Sequence, residues 1–155
     1  MDNLLITGDG KHYKSKVGVG VFAIIIDISI AIVAFVGASS LKSSYSVSYN
    51  VREMMGVIGP IAGVLMIGAA IYQCYVLAMN IAASKTTISV WETAISGDGA
   101  TNAFSVQNFK LVYSDIKNVD VIRNMAVVIC TPYATYKCYA KNCNEIRDTI
   151  LRIKG

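Results

Sequence analysis

A two-helix transmembrane hairpin followed by a small α+β domain, mainly antiparallel β with a C-terminal capping helix, is the fold class this sequence predicts. Three observations predict it. Two long apolar runs, Val17–Ala38 and Val57–Ala83, fill the first half of the chain, the first with a single charge, Asp27, the second with none. From Ser84 the hydrophobic pattern changes to a period of two, the period of a strand. The final stretch returns to a helical period, with Cys143, Ile146, Ile150 and Ile153 on one stripe.

The runs hold 22 and 27 residues. About 18 mostly apolar residues suffice to cross a hydrocarbon core of about 30 Å. The expected organisation is therefore a cytoplasmic tail over 1–16, spans over 17–38 and 57–83, an extracytoplasmic loop over 39–56, and a separate domain over 84–155. A cleaved signal peptide is the competing reading of the first run. Lys11, Lys14 and Lys16 make a basic n-region, and Val36-Gly37-Ala38 resembles a cleavage site. The run exceeds the usual apolar core of such peptides, and a central aspartate has no purpose in a discarded one, so a retained helix is expected.

Lysine and arginine near the span ends set the orientation. Lys11, Lys14, Lys16 and Lys85 flank one side, and Lys42 and Arg52 the other. The excess places both termini in the cytoplasm, in the plasma (inner) membrane of the cell. Four cysteines are present, Cys74, Cys130, Cys138 and Cys143, without a CxxC pair, and His12 is the single histidine. Zinc sites gather four ligands in close pairs, so free thiols in a reducing compartment are expected, with no metal and no cofactor.

Asp27 falls at the midpoint of the first span. An aspartate there costs about 2.5–3.5 kcal/mol on insertion scales, so it should face protein and not lipid. Its helical stripe reads Gly20, Ala23, Asp27, Ala31, Ala34, Ala38, and small residues let helices approach closely. Phe22, Ile25, Ile26, Ile32 and Phe35 are expected to face lipid. The second span offers Gly59, Gly63, Met66, Ala70, Gln73 and Leu77, with Pro60 in its first turn. In an antiparallel hairpin Gln73 reaches the depth of Asp27, so the two form the expected polar pair, with Tyr72 beside it. The pair is read as glue between helices in preference to an ion or proton relay, because no second ionisable group continues a path. Tyr45 and Tyr49 of the loop suit the headgroup level.

In the domain, Thr86–Glu92 alternates as a strand, and Ser96-Gly97-Asp98-Gly99 reads as a turn. Phe104 and Val106 share one phase, and Phe109, Leu111 and Tyr113 the other, which predicts a turn or bulge at Gln107-Asn108. Strands follow over Lys117–Arg123, Ala126–Thr131 and Thr135–Ala140, with breaks at Asn124 and Pro132. Asn142 or Asn144 caps the closing helix, and Asp148 and Arg152 make an i,i+4 pair.

Ile88-Ser89-Val90-Trp91-Glu92, Tyr113–Val119, Val127-Val128-Ile129, Tyr136–Tyr139 and Asn142…Ile150, behind two spans, resemble the bacterial pleckstrin-homology-like (PH-like) membrane proteins of the YcxB type. The resemblance implies a bent antiparallel sheet capped by a helix. The 72 residues from Ser84 are short for that fold, which implies missing or very short strands. The expected first hairpin, Trp91–Gly99, has two acids and no base, so it is no headgroup site. Lys110, Lys117, Arg123 and Lys137 offer a diffuse basic face, with solvated charges as the simpler reading.

From Ser84 the chain has nine Lys/Arg against six Asp/Glu, a balance of +3 that suits an anionic lipid surface and not nucleic acid. No phosphate loop, zinc-protease or serine-elbow motif occurs, and Cys138 lacks a domain histidine, so an enzyme is not expected. Three readings follow. The first is a non-enzymatic membrane protein whose domain docks another membrane or membrane-proximal protein. The second is a small oligomeric effector, a pore, holin-like protein or transporter accessory built on the Asp27 stripe as a homo-oligomer. The third is a lipid-sensing module.

Overall fold

The computed structural model describes residues 3–43 and 48–155. Tyr45 and its assignment to the headgroup level lie outside the described residues. The chain forms two compact units, one from residues up to Val17 together with Ala78–Gly155, the other from Gly18–Leu77.

Helix α1 (Lys14–Ser43) and helix α2 (Tyr49–Ser84) contain the two apolar runs. Both are long and apolar enough to cross a membrane, and only 11% and 17% of their most apolar windows are buried. Core helices of a water-soluble protein would be mostly buried. Each helix outruns its apolar stretch. The segment 39–56, expected as a loop, is helical over Ser39–Ser43 and Tyr49–Gly56, where the helix formers Leu41, Lys42, Arg52, Glu53, Met54 and Met55 stand among the polar residues. Pro60, expected in a first turn, consequently lies inside α2 and removes the hydrogen bond to the Gly56 carbonyl.

The other unit is a curled antiparallel sheet of seven strands with one helix against it. The strands are β1 (Leu4–Asp9), β2 (Thr87–Trp91), β3 (Ala94–Ala100), β4 (Val106–Val112), β5 (Asn118–Ile122), β6 (Ala126–Cys130) and β7 (Thr135–Tyr139). They run as two meanders, β1-β2-β3-β4 and β5-β6-β7, joined where Ala100 of β3 meets Lys137 of β7. Strand β1 comes from the segment expected as a free cytoplasmic tail. It pairs with β2 from Leu4↔Trp91 to Asp9↔Thr87. The whole hairpin is thus inserted between two neighbouring strands of one sheet.

Two local expectations give way. Ser96–Gly99 is strand, not turn, and the chain reverses at Glu92-Thr93. A Cβ at Gly97 would collide with the Thr87 carbonyl oxygen, so this glycine serves close approach of β2 to β3. Strand β4 runs through Gln107-Asn108 in unbroken register with β3, so the phase change there is neither turn nor bulge. Phe104, which suggested it, lies outside the strand and is exposed. The reversal at Arg123-Asn124 is a tight hairpin with both residues left-handed (φ 51° and 54°).

Helix α3 (Cys143–Lys154) closes the sheet. Its Cys143, Ile146 and Ile150 join Ile88, Val90, Ile95, Val127 and Ile129 in one buried core. Asn142 is the cap residue, and its amide donates to the Thr7 carbonyl of β1 at 3.1 Å, not to the helix. The expected Asp148–Arg152 pair gives way to Arg147, whose guanidinium meets Asp148 at 2.7 Å.

Candidate functional site

The polar pair inside the hairpin is the first candidate. Asp27 is 9% exposed, and Gln73 Nε2 donates to its Oδ2 at 2.7 Å. Gln73 Oε1 is buried with no partner among the described residues. The small residues around the pair form the seam. Ala31, Ala38 and Ala70 are buried. Gly59 lies against Ala34 and Ala38, with the Ala34 carbonyl 3.0 Å from where a Cβ would stand. Gly63 lies under the Phe35 ring, and Gly20 against Leu77. Ala23 and Ala34 are half-buried. Phe22, Ile25, Ile26, Ile32 and Phe35 are exposed as expected of lipid-facing groups, and Phe35 also lies over Gly63, where the absent side chain leaves room for its ring. Tyr72 is exposed and not part of the pair.

The second candidate lies where the hairpin leaves and re-enters the sheet. Gly10 N–H donates to the Thr86 carbonyl at 3.0 Å. Thr86 is buried; its hydroxyl donates to the Ala83 carbonyl at 2.8 Å and accepts the Tyr139 N–H at 3.0 Å. Buried Tyr13 stacks edge-on against Tyr139, centroids 5.2 Å apart, and Lys16 Nζ sits 4.4 Å above the Tyr13 ring. These contacts clasp the two flanks together. Beside them is a groove of about 660 Å³ lined by Thr7, Asp9, Lys11, His12, Thr87, Ser89, Lys141 and Asn142, among others. Lys11 binds Asp9 at 3.3 Å, and its backbone N–H and ammonium hold the Asp9 carboxyl below its ordinary value. His12 Nδ1 is buried with no hydrogen-bond partner among the described residues. In the sequence Lys11 counts toward a basic n-region and toward orientation and Lys141 stands out for nothing, because nothing in the linear order brings them together.

The four cations expected to form a diffuse basic face stand on separate elements. Lys110 lies on β4, Lys117 before β5, Arg123 in the β5–β6 turn and Lys137 on β7, all exposed. The Lys117 carbonyl accepts a bond from Lys154 Nζ at 3.1 Å.

None of the four cysteines is in a disulfide. Burial pushes the Cys138 and Cys143 thiols up from their ordinary value, the reverse of what an attacking thiolate needs. Among the described residues no group of three His, Cys, Asp or Glu side chains is placed to hold a metal ion. No protein-family model matches the chain, and no curated protein or solved structure matches it either.

Proposed function

We propose that this chain is a non-enzymatic integral membrane protein whose PH-like domain, held at the cytoplasmic face of the plasma membrane, docks a membrane or membrane-proximal protein. The observation that carries this reading is the insertion of the hairpin between β1 and β2. Both flanks belong to one sheet, so if both helices span, both lie on one side. The clasp at Gly10, Thr86 and Tyr139 leaves no floppy linker between the last strand residue and the helix. The excess of lysine at Lys11, Lys14, Lys16 and Lys85, and the unpaired thiols, favour the cytoplasmic side. Two meanders closed by a helix support the PH-like reading, with β1 supplying the strand that the residues from Ser84 lack.

The open edge of β4 suits a docked strand. Its one strand partner among the described residues is β3, whereas Asn142 and α3 cover β1. An edge strand recruits an extended segment through main-chain hydrogen bonds. The test is purification of the tagged full-length protein in mild detergent, with mass spectrometry and a mass measurement of the particle. A stoichiometric partner is the expected result. A closed homo-oligomer with no partner, which in liposomes passes ions only with a carboxylate at position 27, would replace this reading with the oligomeric effector.

A further inference from the structure

The β3–β4 loop, residues 101–105, holds Phe104 with 76% of its surface exposed. The loop is built, not frayed. The Phe104 N–H donates to Asn102 Oδ1 at 2.8 Å, and the Thr101 N–H donates to the Ser105 carbonyl at 3.0 Å. It also lies beside the end of α2. Ala78, Ile81 and Ala82 of the helix, Lys85 just past it, and Phe104 line one shallow recess of about 470 Å³.

Those helix residues belong to the second apolar run, which ends at Ala83, and Lys85 is the first charge after it. The recess therefore sits at the level where an apolar helix gives way to charge. In a spanning helix that level is the membrane–water interface, where aromatic rings gather and lysines meet lipid phosphates. Tyr133, the other strongly exposed loop aromatic among the described residues, carries a hydroxyl for water. The Phe104 ring has no polar atom, so water offers it nothing.

We propose that Phe104 is an interfacial anchor, its ring entering the headgroup–acyl boundary of the bilayer from which α2 emerges. The occupant is lipid, because the ring is continuous with the apolar side of α2 at Ile81 and is bordered by the single cation Lys85. The inference rests on the reading of α2 as a membrane span and goes beyond it, by fixing a point of the sheet to the bilayer surface.

Trp91 is the one tryptophan of the chain, so fluorescence can test this. The full-length protein carrying Trp91→Phe and Phe104→Trp is placed in phosphatidylcholine–phosphatidylglycerol vesicles, with and without chain-brominated lipid. A second protein carries Trp91→Phe and Val64→Trp, at a position exposed in the middle of the apolar run. Emission from position 104 should be shifted to the blue of indole in water, lose intensity to brominated lipid and resist aqueous iodide. Quenching by iodide and not by bromine would overturn the anchor. So would blue-shifted emission insensitive to both, which would mean that a protein surface covers the ring. Quenching by bromine at position 64 alone refutes the anchor and leaves the span intact. Absence of bromine quenching at both positions overturns the span and the anchor with it.

Discussion

Asp27 shows how much one residue can settle. A carboxyl in the middle of an apolar run has to find a polar partner, and its small neighbours place that partner on the other helix. Gln73 supplies it at 2.7 Å. Asp27→Asn keeps the shape and an acceptor oxygen, so detergent thermal melts should match wild type. Asp27→Leu removes the bond and puts a branched chain in a close-packed seam. It should cost about 1 kcal/mol from the bond alone, plus the overpacking. Equal melting of Asp27→Leu and wild type would deny the pair any structural role. The thiols make a second case at this scale. Burial is the main cause that holds the Cys138 and Cys143 pKa values above the ordinary thiol value. The unfolded thiols ionise above about pH 8.5, and the folded ones only at a higher pH. Their contribution to stability is therefore present below that pH and lost as pH rises. Urea unfolding followed at Trp91 should show a midpoint that falls from about pH 8 to about pH 10, and Cys138→Val should flatten the slope. A midpoint independent of pH in wild type would contradict it.

At the scale of elements, run length and period decided what was legible. Both apolar helices were readable from the length of their unbroken apolar runs and β6 as a short apolar run, whereas β2, β5, β7 and α3 each have one apolar face of a fixed repeat. Strand β3 was not, because Gly97 and Gly99 carry turn chemistry but are there for close contact with Thr87 and Tyr136. Strand β1 was hidden by position: six residues before a lysine-flanked apolar run look like the leader of a span. The Asp27–Gln73 pair was readable from depth alone, whereas the clasp and groove needed the β1–β2 pairing, which no local signal announces. Helix α3 carries the clearest signal of all. Ile146 and Ile150 are fully buried against the sheet. Ile150→Asp puts a lone charge in that core, which is disfavoured by more than about 4 kcal/mol. Against a total stability of about 5–15 kcal/mol, that loss should lower the urea midpoint steeply and make the domain protease-sensitive. A variant with wild-type urea midpoint would show that α3 is not part of the core. Ile150→Val should cost only about 0.5–1.5 kcal/mol.

The whole molecule is a sheet interrupted by a hairpin, and that interruption yields the last prediction. Residues 84–155 hold six of the seven strands and all of α3. Without the segment before α1 they lack β1, so one edge of β2 opens, the Ile6 side chain leaves the core margin and Asn142 loses its acceptor on Thr7. The Tyr13–Tyr139 contact is also lost. Full burial of an isoleucine is worth about 1.5–3 kcal/mol, of which partly buried Ile6 contributes a share, and each of the ladder hydrogen bonds adds about 0.5–1.5 kcal/mol. The fragment 84–155 should therefore be less stable than the complete sheet by at least about 3 kcal/mol. Because Gly10 and Thr86 are hydrogen-bonded neighbours, the hairpin can be replaced by a short glycine–serine link. Residues 3–16 joined in this way to 84–155 should give a dispersed proton–nitrogen spectrum and a cooperative urea transition. The fragment alone should show narrowed dispersion or an earlier transition. If both unfold at the same midpoint, β1 is an appendage, and the single-sided topology loses the pairing that argues for it. Cysteine labelling in intact cells supplies an independent reading of that topology. Ser48→Cys should react without lysis and Ser96→Cys only after it. The reverse pattern would place the sheet outside, whereas reaction of both or of neither would deny that the hairpin crosses the membrane.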